Sequence, residues 1–223
     1  MIRRFAIADI HGCAATFAAL LAKINLQRRD TLYLLGDYID RGPDSKWVLD
    51  RILELIGEGF DLKPLLGNHE QLLLDALSDQ AAFSIWKGNG GYETLQQFGV
   101  NHPAKLPNCY IDFLISLPLI YVLEDFVLVH AGLDFRKGDP IAETAAKDLL
   151  WVRDYRCDAQ KLAGRTLITG HSMTPLFAIR ESLATNHIKL DNGCYDNGEM
   201  GQGALVALDL NNRELVVVQN MEK

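Results

Sequence analysis

Five short apolar runs in this chain each stop abruptly at a polar cluster, and that recurrence constrains its fold more than any other feature. Phe5–Ala8 ends in Asp9-Ile10-His11-Gly12, Thr31–Leu35 in Gly36-Asp37-Tyr38-Ile39-Asp40-Arg41-Gly42, and Leu62–Leu66 in Gly67-Asn68-His69-Glu70. Phe126–Val129 ends in His130-Ala131-Gly132 and Thr166–Thr169 in Gly170-His171. Runs of this length read as buried strands, and open α/β sheets hold their ligands at the carboxyl ends of such strands. Asp37 is therefore placed to act, and the five clusters are expected on one rim.

Between the strands the periodicity changes. Phe17, Leu20, Leu21 and Ile24 have helical spacing, so strand, polar turn and helix follow one another. Trp47, Val48, Ile52, Leu55 and Ile56 form the expected apolar face of a second helix, ended by Gly57 and Gly59. Pro64 inside the third run predicts an edge strand or a strand start. From Ala81 to about Ser116 a helical pattern is broken by glycines and prolines, as expected of a helical excursion over the sheet. Leu119–Leu123 and Phe126–Val129 flank Glu124-Asp125 like a hairpin, and Glu143–Leu150 reads as a short helix. Short strands are expected at Ala178–Arg180, His187–Leu190, Ala204–Leu208 and Leu215–Val218. At 223 residues, with no linker or repeat, a single domain over residues 1–223 is expected.

Composition excludes several classes. Hydrophobic residues at 48% and charged residues at 23% are ordinary for a globular chain, so disorder is not expected. The net charge of -7, with 22 basic against 29 acidic residues, lacks the basic footprint of a nucleic-acid binder and suits a protein that gains divalent cations. Cys13, Cys109, Cys157 and Cys194 form no C-x-x-C pair, which fits a reduced, cytoplasmic setting. Asp9 cuts the first apolar run short of a signal-peptide core, and no later run reaches membrane-spanning length.

The strand-end residues Asp9, His11, Asp37, Asn68, His130 and His171 are two Asp, one Asn and three His from five segments. A divalent ion of intermediate hardness accepts such an oxygen and nitrogen set, whereas a thiolate site would call for cysteines. The set is too large for one tetrahedral ion and suits two with one carboxylate shared. No Gly-x-Gly-x-x-Gly or P-loop is present, which sets aside a doubly wound nucleotide-binding protein.

Taken in order, the five motifs resemble the signature of the phosphoprotein phosphatase branch of calcineurin-like metallophosphoesterases, most closely its compact bacterial and phage-type members. The resemblance runs from about Phe5 to Leu208. It implies a four-layer α/β/β/α sandwich of two mixed sheets with flanking helices. It further implies that Asp9 and His11 hold one metal, that Asn68, His130 and His171 hold the other, and that Asp37 bridges them. A hydroxide shared by the ions would attack phosphorus directly. No cysteine lies in a Cys-x5-Arg loop, so a thiol-based phosphatase is not expected. Arg41 and Arg153, the latter in the looser motif Leu149-Leu150-Trp151-Val152-Arg153, would grip the phosphate. His69 would protonate the leaving oxygen, oriented by Asp40. Manganese is the expected metal, with iron or zinc as alternatives.

Ala8 stands where the family's first motif usually opens with Gly or Ser, and a small residue still lets the turn form. Tyr195 is not aligned with the C-terminal aromatic that many members place over the site. Trp86 and Asn89 read either as lining a substrate entrance or as a helix end and turn. His102 and His187 read as a loop and a strand residue, and Asp191-Asn192-Gly193 as a turn between strands. The expected function is a phosphomonoester hydrolase acting on phosphoserine or phosphothreonine in proteins, because nucleotide-cleaving relatives tend to lack an acidic residue at the place of Asp40. The alternatives are symmetrical hydrolysis of dinucleoside tetraphosphates and a catalytically dead scaffold that binds phosphoproteins.

Overall fold

The computed structural model describes residues 2–196 and 198–222. Among the described residues, nine strands fall in two mixed sheets. The first has the order β3-β2-β1-β8-β9 and is built from β1 (Arg4–Ile7), β2 (Thr31–Leu34), β3 (Asp61–Pro64), β8 (Ala204–Asp209) and β9 (Glu214–Gln219). The second has the order β4-β5-β6-β7 and is built from β4 (Ile120–Val122), β5 (Phe126–Val129), β6 (Thr166–Thr169) and β7 (His187–Lys189). β1, β2 and β3 run parallel, as do β5, β6 and β7, so each sheet presents carboxyl ends of parallel strands to one rim. β3 is an edge strand, the first of the two readings of Pro64, which closes the strand and does not start it.

Helices α1 (Ala14–Ile24) and α2 (Ser45–Gly57) follow β1 and β2, and α3 (Asn68–Asp75) follows β3. The excursion comprises α4 (Gln80–Trp86), a π-helical turn at Lys87–Gly91, α5 (Tyr92–Gln97) and α6 (Asn108–Ile115). The short α7 (Pro140–Glu143), α8 (Ala146–Trp151) and α9 (Leu176–Ser182) belong to the second half.

The alternation of side chains along each strand divides the interior into three layers. Phe5, Ile7, Leu32, Leu34, Leu205 and Ala207 point from the first sheet toward α1, α2 and the excursion. Ala6, Ala8, Tyr33, Leu35, Val206 and Leu208 point the other way and meet Phe126, Leu128, Ile168 and Ile188 of the second sheet. Val127, Val129 and Leu167 face outward from the second sheet onto Leu149 and Leu162. The result is the expected four-layer α/β/β/α arrangement.

Two local expectations are corrected. Ala178–Arg180 lies within α9 and forms no strand. Leu176, Ile179 and Leu183, three to four residues apart, all pack into the layer between the sheets, so the helical period governs this stretch. On α2, Ile56 is exposed and Leu49 is buried instead, because Val48, Leu49, Ile52 and Leu55 define the face that meets the sheet. Among the described residues no helix is long and apolar enough to cross a membrane.

Leu128 is fully buried between the sheets. Leu128→Ala should lower unfolding free energy by about 2–5 kcal/mol through lost burial plus an unfilled cavity. Ile56→Ala, at the exposed position, should change it by less than about 0.5 kcal/mol. Chemical denaturation checks both, and equal effects would contradict the layer assignment.

Candidate metal centre and active site

The rim is made of short loops in costly conformations. Among the described residues, six of the ten non-glycine residues with positive φ are Asp9, His11, Asp37, Asp40, Arg41 and His171, all singled out from the sequence as site residues. Left-handed backbone costs such residues of order 1–3 kcal/mol each and persists only where surrounding contacts over-determine it. Those contacts are present. The N–H of His11 donates to Asp37 O and that of Gly12 to Tyr38 O, each at 2.8 Å, so the first two loops interlock. The buried Glu70 carboxylate accepts the N–H groups of Asp37 (2.8 Å), Tyr38 (2.8 Å), Gly67 (3.1 Å) and Ile39 (3.3 Å). Burial and the neighbouring Asp37 charge push Glu70 upward in pKa, yet four surrounding donors are satisfied only by an ionised acceptor. Gly67 must lack a side chain, since a Cβ there would lie 2.3 Å from Asp37 N and Oδ1.

The histidines are aimed by their second nitrogens. His11 Nδ1 lies 2.9 Å from Ile39 O, and His130 Nδ1 lies 2.7 Å from Leu35 O. Each imidazole therefore carries its proton on Nδ1 and presents a bare Nε2 to the interior. His11 Nε2 is 3.5 Å from Asp37 Oδ2, and His130 Nε2 is 3.5 Å from Asp37 Oδ1, so the two carboxylate oxygens face opposite histidines. Burial pushes His11 and His171 down to about 3 and lowers His130, keeping all three neutral. Burial alone would raise Asp37, but the surrounding imidazoles and the N–H it accepts from His69 outweigh it and hold the carboxyl below its ordinary range.

The donor set fits divalent cations. With its proton on Nδ1, His130 confronts Asn68 Oδ1 at 2.8 Å with another acceptor, and His171 Nδ1 also lies 2.8 Å from that oxygen. Acceptors converging on one point are reconciled by a cation. His171 Nε2 is buried without a partner among the described residues. Asp37, His130 and His171 form one convergent group, and His11, Asp37 and His69 another, with Asp37 common to both.

Asp9 is in neither convergent group. Its two oxygens accept the backbone N–H of His171, each at 3.0 Å, and burial followed by the charges of Asp191 and Asp37 raises its pKa. His69 Nδ1 lies 2.7 Å from Asp40 Oδ2, and its Nε2 is 3.0 Å from Arg41 Nη2. Burial opposes charge on His69, but Asp37 and Asp40 outweigh it and raise its pKa. Arg153 is exposed and donates from Nη1 to His171 O and Ser172 Oγ, each at 3.2 Å, which sets it beside the group containing His171.

Several residues of the site have no role in the sequence reading. Tyr195 hydrogen-bonds Arg41, whose guanidinium carbon lies 4.7 Å from its ring centroid, and it meets the His11 ring edge-on. Asp191 is buried, and burial pushes its carboxyl up to about 6. It follows β7 as the other polar clusters follow their strands, so the same rule could have found it. Glu70 carried a signal as well, standing three residues after the helix-capping Gly67. Asn89 lines a surface cleft beside Arg41, whereas Trp86 is fully buried. His187 stands at the start of β7 within 2.9 Å of Thr169 Oγ1, and His102 precedes a 3-10 turn, so both are structural as read.

Residues 2–202 match the sequence model of a family described as calcineurin-like phosphoesterase. A symmetrical bis(5'-nucleosyl)-tetraphosphatase of Hamiltonella defensa subsp. Acyrthosiphon pisum is 30% identical over 202 residues, covering 88% of this chain and 69% of that protein. A protein of the same name from Nitrosomonas europaea is 37% identical over 131 residues, covering 58% of this chain and 44% of its own. Among solved structures, a candidate diadenosine tetraphosphatase superposes with a TM-score of 0.70 at 21% identity, over 99% of this chain and 95% of that one. At that identity the likeness shows the fold.

Glu70→Gln tests what holds the rim. An amide offers one acceptor oxygen, so its NH2 group must face two of the four N–H donors, each stranded donor costing about 1–3 kcal/mol. The variant should be less stable by at least about 2 kcal/mol and should bind Mn²⁺ about 10-fold more weakly or worse. Unchanged denaturation midpoint and calorimetric Mn²⁺ affinity would show that other contacts fix the loop.

Proposed function

The chain belongs to the calcineurin-like phosphoesterase family, and on that premise we propose that it hydrolyses phosphoric esters or anhydrides at a two-metal centre whose bridging ligand is Asp37. The observation that carries this reading is the placement of Asp37, with one carboxylate oxygen toward His11 and the other toward His130. His11 with Asp9 would hold one ion, and Asn68, His130 and His171 the other. Bound there, divalent ions supply the lowered pKa of a coordinated water and neutralise charge on the phosphoryl oxygens. Manganese is the proposed ion, and the same ligands would accept iron or zinc.

The chain's own residues do the rest. Arg41 and Arg153 present guanidinium groups from two sides of the rim and would orient the phosphoryl group, with Tyr195 supporting the Arg41 plane. His69, its Nδ1 tied to Asp40 and its Nε2 beside Arg41 Nη2, would in its protonated form deliver a proton from Nε2 to the leaving oxygen.

For the substrate, the curated relatives support dinucleoside tetraphosphates over the phosphoprotein expected first from the sequence. Clefts of about 520 and 370 Å³ flank Arg41, one bordered by Tyr195 and Gln96, the other by Lys87 and Asn89. They would receive the arms on either side of a central polyphosphate. One observation favours phosphomonoesters as a second reading, namely the complete Asp40–His69 pair. An alkoxide needs a proton as it leaves, whereas a nucleoside diphosphate leaves without one.

Manganese-loaded protein given diadenosine tetraphosphate and a phosphothreonine peptide together, with a chelated control, should release ADP in a metal-dependent reaction. Phosphate release alone would replace the first substrate reading with the second, and no turnover of either would overturn both. His69→Asn should lower turnover of an alkyl phosphate by about two to four orders of magnitude with Mn²⁺ binding retained. Undiminished turnover of that ester would remove His69 from the acid role.

A further inference from the structure

We infer that Trp86 and Thr94, delivered by the helical excursion, are positioning residues that lock the Asp40 carboxylate and thereby aim His69 at the leaving group. The inference rests on the reading of His69 as the leaving-group acid.

Asp40 is fully buried and receives three side-chain donors. On Oδ2 these are His69 Nδ1 at 2.7 Å and Trp86 Nε1 at 2.9 Å; on Oδ1 it is Thr94 Oγ1 at 2.7 Å. Thr94 Oγ1 also accepts the Asp40 backbone N–H at 3.1 Å, so one hydroxyl clamps both ends of the residue. Trp86 and Thr94 are themselves fully buried, and they lie 46 and 54 positions beyond Asp40 in the chain.

The segment joining them is shaped to make this approach. Gly90 has φ +108°, and a Cβ there would lie 2.8 Å from both Arg41 N and Asp40 Cβ. A Cβ on Gly91 would lie 2.4 Å from the Trp86 ring. The π-helical turn at Lys87–Gly91 thus rests directly on the Asp40–Arg41 backbone, and Trp86 reaches under it to the carboxylate. An aspartate held by His69 alone could rotate about its side-chain bonds. Donors on both oxygens, from two separate helices, remove that freedom and fix the imidazole tautomer and plane with it. The core packing of Trp86 needs only its ring; its N–H is committed to Asp40.

The test separates positioning from packing. Trp86→Phe keeps an aromatic ring and removes the N–H; Thr94→Val keeps the shape and removes the hydroxyl; Thr94→Ser restores the hydroxyl. With Mn²⁺-loaded protein, Trp86→Phe and Thr94→Val should each lower kcat about tenfold or more on phenyl phosphate, whose leaving group needs a proton. On 2,4-dinitrophenyl phosphate the loss should be several-fold smaller. KM and calorimetric Mn²⁺ affinity should move less than twofold, and Thr94→Ser should recover most of the lost rate. Equal losses on the two esters, or a parallel loss of Mn²⁺ affinity, would overturn the inference. Thr94→Val and Thr94→Ser suffice if Trp86→Phe does not fold. If the wild-type protein shows no dependence on the leaving group, the acid role of His69 fails instead. Nitrogen-15 NMR of the His69 ring in its neutral form then decides the positioning claim, a single Nδ1–H tautomer in the wild type that turns mixed in both variants supporting it and an unchanged tautomer overturning it.

Discussion

Glu70 is the residue on which the geometry of the rim depends. Its carboxylate gathers the N–H groups of Asp37, Tyr38, Ile39 and Gly67, so the turn after β2 and the start of α3 are tied to one buried anion. Asp37 can then occupy a left-handed conformation, and its Oδ1 accepts the His69 N–H at 3.1 Å. Two residues with distinct proposed tasks, the bridging ligand and the acid, are thereby set relative to each other by backbone hydrogen bonds. Backbone contacts of this kind hold position more tightly than side-chain packing, because each donor has a fixed direction and no rotamer to change.

The same logic joins the two sheets. His130 at the end of β5 donates to Leu35 at the end of β2, and Asp9 at the end of β1 accepts from the His171 backbone after β6. Beneath these polar ties lies the apolar layer formed by Ala6, Tyr33 and Val206 against Phe126, Leu128 and Ile168. The site therefore straddles a packed interface, and its ligand spacing is only as variable as that interface, which at interior packing density is hardly compressible.

Much of this was legible in the chain. Strand ends were readable because an apolar run stopping at a polar cluster is a local pattern, and every candidate residue it produced lies on one rim. Asp191 obeys the same pattern and was passed over because Asn192-Gly193 is also a turn signal, which shows where local chemistry admits two readings. α9 was misread for a similar reason. Three residues cannot separate a period of two from one of 3.6, and only the contacts of Leu176, Ile179 and Leu183 decide it. Trp86, Thr94 and Tyr195 were beyond local reading altogether, since each acts on Asp40 or Arg41 from more than 45 positions away. Asp9 was named from its motif, yet its carboxylate turns to the His171 N–H, a contact no spacing foretells.

The charge balance of the rim links metal binding to folding. Asp9, Asp37, Glu70 and Asp191 are buried at 1%, 2%, 0% and 3% exposure, whereas the two arginines of the site, Arg41 and Arg153, are exposed. Burial of a carboxylate without a compensating charge is costly, and the four backbone donors around Glu70 offset part of that cost. The raised pKa values of Asp9, Glu70 and Asp191 record the remainder, each led by burial and augmented by the charge of Asp37. Divalent cations at the ligand set described would remove much of that repulsion, and a ligand that binds only the folded chain stabilises it in proportion to the logarithm of its concentration over Kd. The strained loops and crowded carboxylates are thus coherent as one design: conformations that the bare chain holds at a cost become favourable where cations complete them.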